Sequence, residues 1–201
     1  VEIRPLAIAD AHVITPVSHA DERGLFLEGF RADVLERATG RRFEPVQVNR
    51  SISRRGVVRG IHYADVPPGQ AKYVMVTAGA ILDYVIDIRV GSPTFGQWEA
   101  VALDDVENRA VFLAEGLGHL FVVTSESASM VYLVSDVYRP ECEHTISPLD
   151  PEIGLEFPFA TDELILSERD VAAPSFSEAR SRGMLPEYAE CVARYGKLAA
   201  R

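Results

Sequence analysis

Residues 57–74 read VVRGIHYADVPPGQAKYV. Val, Ile and Tyr mark two strands here, one on each side of the Pro-Pro-Gly turn. Yet Arg59, His62 and Lys72 fall within fourteen of these residues. Cations inside an apolar β core need a partner or a ligand, because an unpaired buried charge is costly. On a regular strand Arg59 and Ile61 face away from His62. A bulge or strand end at Gly60 is therefore needed to bring all three groups to one place. The stretch predicts two strands of a β structure whose interior is a pocket with basic walls.

Similar runs flank it on both sides. FEPVQVNRSIS, AKYVMVTAG, ILDYVIDIRVG, WEAVALD, AVFLAEG, LFVVTSE and SMVYLVSDVY are rich in Val, Ile, Tyr and Phe. Gly, Pro, Asp and Asn separate them about every dozen residues, which predicts an antiparallel sandwich or barrel. ADVLERATG predicts a helix ended by Gly40, and SFSEARSRG one capped by Ser175 or Ser177 and stopped by Gly183. EYAECVARYGKLAA (187–200) predicts a third. The Pro-rich PLDPEIGLEFPF predicts an irregular segment wrapped over the core.

The chain has 201 residues, 47% of them apolar, which fits one globular domain with a substantial core. No run approaches the ~20 apolar residues that span a bilayer, so no membrane association is expected. The N-terminal VEIRPLAIAD lacks the pattern of a signal peptide. Cys142 and Cys191 are the only cysteines and form no CxxC, so neither a disulfide framework nor a zinc site is expected, and a cytoplasmic location fits. A formal net charge of -10 disfavours nucleic acid as a partner. It leaves room for a small anion held by locally clustered basic residues.

Each isolated candidate has an ordinary structural explanation. A lone His62 would be a hydrogen-bonded core histidine, Arg23 in HADERGLF a turn residue, and Gln47 and Asn49 in QVNRS an edge-strand face. His119 between glycines in GLGHLF, Tyr132 and Tyr138 in VYLVSDVY, and Arg169 and Asp170 in LILSERD read the same way alone. Together, Arg59, His62 and Lys72 favour a ligand-holding barrel, in which Gln47 and Asn49 become hydrogen-bonding wall residues. A metal site of the paired-histidine type is disfavoured. Position 64 is Ala, and His12, His19, His62, His119 and His144 are all isolated in sequence.

DERGLF, QVNRSIS, GVVRGIHY, PPGQAKYV, VIDIRVGSPTFGQW, AEGLGHLF, VYLVSDVY, ECEHTI and LDPEIGLEFP follow one another in order. In this the chain resembles the dTDP-4-dehydrorhamnose 3,5-epimerase family over residues 3–188, and within it the branch that makes antibiotic deoxysugars. The resemblance implies an all-β cupin double-stranded β-helix (jelly roll), with short helices toward the termini. It implies a single domain over 1–201. Strands and a helix in 1–42 would be exchanged in a homodimer, a β core would occupy 43–140, and 141–201 would wrap it. It implies a dTDP-4-keto-6-deoxyhexose substrate and neither cofactor nor metal. His62 would be the base, paired with Asp170, and Tyr132 the opposing acid. Arg23, Gln47, Asn49, Arg59 and Lys72 would bind substrate. His119, Tyr138, Glu143 and Arg169 match further positions near nucleotide or sugar, and Glu28 one that contacts the base or a partner arginine. GLGHLF in place of GFAHGF, Leu133 in place of Lys and HYAD in place of HYQ bear on which carbons are epimerised.

The chemistry fits those residue types. Inverting a carbon beside a ketone begins with removal of its proton, which a neutral imidazole suits. A carboxylate orients the ring and stabilises the imidazolium. A cation, Lys72 with Arg59 or His119, meets the developing enolate oxygen. A second group on the other ring face returns the proton. No hydride moves, and no GxGxxG unit is present. The alternatives are a C3-only epimerase or a ketoisomerase of the same substrates, a non-catalytic nucleotide-sugar-binding cupin, and a metal-dependent cupin oxygenase.

Overall fold

The alternating apolar runs, cut by glycine and proline, form a mostly β structure in the computed structural model, which describes residues 1–199. Ala200, the last residue of the expected C-terminal helical run, and Arg201, both within the expected domain, lie outside the described residues.

The chain begins with β1 (Glu2–Pro5) and β2 (Ala11–Thr15), then a hairpin of β3 (Ser18–Asp21) and β4 (Gly24–Leu27). α1 (Ala32–Thr39) ends at Gly40, whose positive φ of 70° turns the chain and whose N–H bonds Glu36 O. Pro45 delays β5 to Gln47–Arg54. There follow β6 (Val58–Ala64), β7 (Lys72–Ala78), β8 (Ala80–Ile86), β9 (Trp98–Asp104), β10 (Ala110–Leu113), β11 (Gly118–Val123) and β12 (Ser127–Val134). β13 (Glu143–Thr145), α2 (Glu168–Val171), α3 (Phe176–Ser181) and α4 (Tyr188–Ala199) complete the chain. The expected strand 81–91 stops at Ile86. Asp87 turns inward to take Arg89 Nε at 2.9 Å, Ser92 Oγ at 2.5 Å and Thr94 Oγ1 at 2.6 Å, which pulls the backbone out of the sheet.

The strands form a six-stranded sheet, β1-β2-β10-β7-β12-β5, and a five-stranded sheet, β13-β6-β11-β8-β9, with antiparallel pairing throughout. β1, β2 and β13 extend these sheets beyond the expected 43–140 core. The β3–β4 hairpin stands apart as its own ribbon. Inward positions of both sheets share one apolar core. Val74 and Val76 from β7 and Met130 from β12 meet Ile81 and Val85 from β8 and Phe121 from β11. The outer face of the five-stranded sheet is covered by the C-terminal third. Ile146, Ile153, Phe176 and Leu185 pack on Tyr84, Ile86 and Leu120 there, so PLDPEIGLEFPF does wrap the core. α1 and Phe43 cover only part of the other outer face, through Leu35, Tyr73 and Phe112. Along β5, Val48 and Ile52 point outward and stay exposed, as do Leu25 and Phe26 on the hairpin.

Candidate active site

The pocket opens between the two sheets, and β6 has to bend to furnish it. His119 on β11 pairs with His62, but Phe121, two residues on, pairs with Arg59, three residues back. Two residues of β11 thus span three of β6, a bulge centred on Gly60. It turns both Arg59 and His62 toward the interior that His119 and Phe121 already face. Gly60 has φ 134°, and a Cβ there would sit 2.5 Å from His119 O and 2.7 Å from Leu120 Cα. Only glycine fits. The convergence demanded by residues 57–74 is achieved at the residue where the sequence allowed it.

The cavity holds about 700 Å³. From the five-stranded sheet Arg59, His62 and His119 line it. Gln47, Asn49, Lys72 and Tyr132 line it from the six-stranded sheet, with Tyr138, Glu143 and Arg169 at its rim. β5 is inverted relative to an ordinary core strand: its polar Gln47, Asn49, Ser51 and Ser53 face inward and Val48 and Ile52 outward. Gln47 donates to Asn49 Oδ1 at 2.7 Å and accepts from the Tyr138 N–H at 3.0 Å, tying the rim to the wall. Ser53 Oγ accepts from Arg59 Nε at 3.1 Å.

His62 Nε2 lies 2.9 Å from Asp170 Oδ1, which makes Nδ1 the nitrogen free to accept a proton. Asp170 is 2% exposed and sits behind the imidazole, outside the cavity lining. It also accepts from Thr145 Oγ1 at 3.3 Å and Ser167 Oγ at 2.9 Å. Burial pushes its pKa up, but the bonds from His62, Ser167 and Thr145 outweigh burial and hold it below the ordinary carboxylate value. His119 has a second carboxylate behind it, Asp83 Oδ2 at 2.7 Å. Burial pushes the Lys72 ammonium below its ordinary value against the pull of Glu143 and Asp83, and it has no hydrogen-bond or ion-pair partner among the described residues. Burial, then Glu143, pushes the Tyr132 phenol above its usual value, with Arg59 and Asn49 pulling partly back. Tyr132 is therefore a protonated donor at neutral pH. It stands on the sheet opposite the one that carries His62.

Two sequence-predicted residues lie elsewhere. Arg23 is on the β3–β4 turn, exposed and paired with Asp21. Glu28 faces Arg31 beside α1, in a separate groove. Asp83, Ser167 and Thr145 were missed. Asp83 had a signal, an acid at an inward position of the apolar run ILDYVID. The two hydroxyls had none.

A family model described as dTDP-4-dehydrorhamnose 3,5-epimerase matches residues 5–178. The chain belongs to the dTDP-4-dehydrorhamnose 3,5-epimerase family. It is accordingly an epimerase, and so an isomerase. A Mycolicibacterium smegmatis protein named dTDP-4-dehydrorhamnose 3,5-epimerase is 50% identical over 190 residues, 94% of this chain and 93% of that one. NovW, a 4-keto-6-deoxy sugar epimerase from the novobiocin cluster of Streptomyces spheroides, superposes with a TM-score of 0.92 at 50% identity, covering 94% of each chain. ChmJ, a 3'-monoepimerase from Streptomyces bikiniensis solved with dTDP-quinovose, has a TM-score of 0.94 at 44% identity, over 98% of this chain and 99% of that one.

Proposed function

We propose that this epimerase inverts C3, C5 or both in a dTDP-4-keto-6-deoxyhexose, as one step of an antibiotic deoxysugar route. One observation carries the reading: a histidine–carboxylate pair and a protonated tyrosine stand on opposite walls of one cavity that also holds an unpaired buried lysine. His62 Nδ1 removes the proton beside the ketone, with Asp170 stabilising the imidazolium. Lys72, with His119 beside it, stabilises the enolate oxygen. Tyr132 delivers a proton to the other face, and inversion results. Arg59 and the Gln47–Asn49 pair bind the nucleotide end, with Tyr138, Glu143 and Arg169 closing the rim. The origin of NovW in an antibiotic cluster supports the route. The solved complex of ChmJ with dTDP-quinovose supports the substrate class.

The two sheets, with a ligand cavity between them, support a cupin double-stranded β-helix. A homodimer accounts for what the single chain leaves over. Among the described residues the β3–β4 hairpin pairs only with itself, and it presents exposed Leu25 and Phe26 close in sequence to Arg23 and Glu28, while β5 exposes Val48 and Ile52. In the dimer the hairpin carries Arg23 and Glu28 to the partner's pocket. No helix among the described residues is long and apolar enough to cross a membrane, and a cytoplasmic location accords with the two free cysteines. Incubation with dTDP-4-keto-6-deoxyglucose in D2O, followed by mass spectrometry, tests the reading. Wild-type protein should add one or two deuterons per sugar and His62→Ala none. A wild type that adds none would overturn it.

A further inference from the structure

We infer that Ser167 is a positioning residue for the proton-abstracting pair. α2 is a single turn, Glu168–Val171, and Ser167 is its N-cap. The hydroxyl accepts from the Asp170 N–H at 3.1 Å and donates to Asp170 Oδ2 at 2.9 Å. In an ordinary capping box the acidic side chain three residues on folds back to the cap's backbone N–H. Here that side chain is Asp170, and its carboxylate is turned away from the cap backbone to the cap hydroxyl and to His62. One hydroxyl therefore fixes both where the Asp170 backbone sits and how its carboxylate is rotated.

The division of labour between the two oxygens makes Ser167 matter. Oδ1 receives His62 Nε2 and Thr145 Oγ1, whereas Oδ2, among the described residues, receives a side-chain bond from Ser167 alone. Asp170 is buried. Without that donor, Oδ2 is left buried and unsatisfied, the balance moves toward the protonated acid, and the carboxylate is free to rotate away from the imidazole. Ser167 does not line the cavity, so it acts through Asp170 and His62 and not on substrate.

The inference rests on His62 being the base. Ser167→Gly separates positioning from folding, because glycine at an N-cap costs only a few tenths of a kcal/mol relative to serine. In that variant the Asp170 carboxyl should titrate ~1 to 2 pH units higher, the size expected for one hydrogen bond to a charged group. kcat should fall and KM stay unchanged. Ser167→Thr, which keeps the hydroxyl, should restore both the Asp170 titration and kcat. A carbon-13 NMR titration of the Asp170 carboxyl gives a readout independent of turnover, and its midpoint should rise by a similar amount in Ser167→Gly. An unchanged midpoint would overturn the inference whatever the enzyme does. A wild type that exchanges no deuterium would overturn the functional reading and leave the midpoint to decide the role of Ser167.

Discussion

Asp170→Asn keeps the shape of the side chain and removes the charge behind His62. With its amide nitrogen turned toward Ser167, whose hydroxyl can accept, its one oxygen still takes His62 Nε2. The fold should therefore hold to within a few degrees in Tm. The loss falls on the transition state, where His62 becomes an imidazolium 2.9 Å from what had been a carboxylate. Two unit charges at 4 Å attract by about 4 kcal/mol at an effective dielectric constant of 20. The His62 side chain is 37% exposed, so solvent screens part of this, and about 2 to 4 kcal/mol is a fair range. At 1.36 kcal/mol per decade, deuterium exchange should slow by ~30- to 1,000-fold. The sign with pH follows from the depressed Asp170 value. The carboxylate stabilises the fold above the unfolded pKa of ~3.9, and this is lost as pH falls through the lower folded value. Wild type and variant should thus converge in stability in strong acid. Exchange within twofold of wild type, in a variant that remains folded, would refute the role given to the carboxylate.

Lys72→Met should raise the Tm of the free protein while slowing exchange. Removing an unpaired buried charge is worth ~1 kcal/mol or more, or ~2–4 °C for a chain of this size, whereas losing the enolate's cation costs ~100- to 1,000-fold; a fall in Tm would show that Lys72 is already satisfied. Gly60→Ala forces a Cβ to 2.5 Å from His119 O at φ 134°. It should lower Tm by ~6–12 °C, from about 3 kcal/mol of strain and overpacking, and a change under 2 °C would contradict the bulge. Analytical ultracentrifugation should find a dimer at micromolar concentration, and Phe26→Asp should weaken it; a monomeric wild type would remove Arg23 and Glu28 from the site.

Much of this was legible at 57–74. Three cations among apolar residues, with a glycine between two of them, predicted both a pocket and a bulge, because burial energetics and strand parity leave few alternatives. The inward polar face of β5 was legible as alternation in QVNRS. Asp170 as partner of His62 was not legible from spacing. The two are 108 residues apart, and only folding of the C-terminal segment over the five-stranded sheet joins them, so that pairing came from resemblance. Ser167 and Thr145 carried no signal, since a hydroxyl in a turn or on a short strand is ordinary until its partner is known. The strand expected through 87–91 failed because the Asp87–Arg89 side-chain bonds compete with the ladder, which an apolar pattern does not register.

The most direct measurement is proton NMR of dTDP-4-keto-6-deoxyglucose with Tyr132→Phe in D2O, reading exchange at C3 and C5 separately from inversion. With His62 intact, the base can remove a proton and return a deuteron to the same face. Exchange should therefore persist while inversion falls by ~100- to 10,000-fold, the range for loss of a general acid. Inversion at nearly the wild-type rate would mean that the second proton comes from elsewhere, and the two-wall account of the site would be wrong.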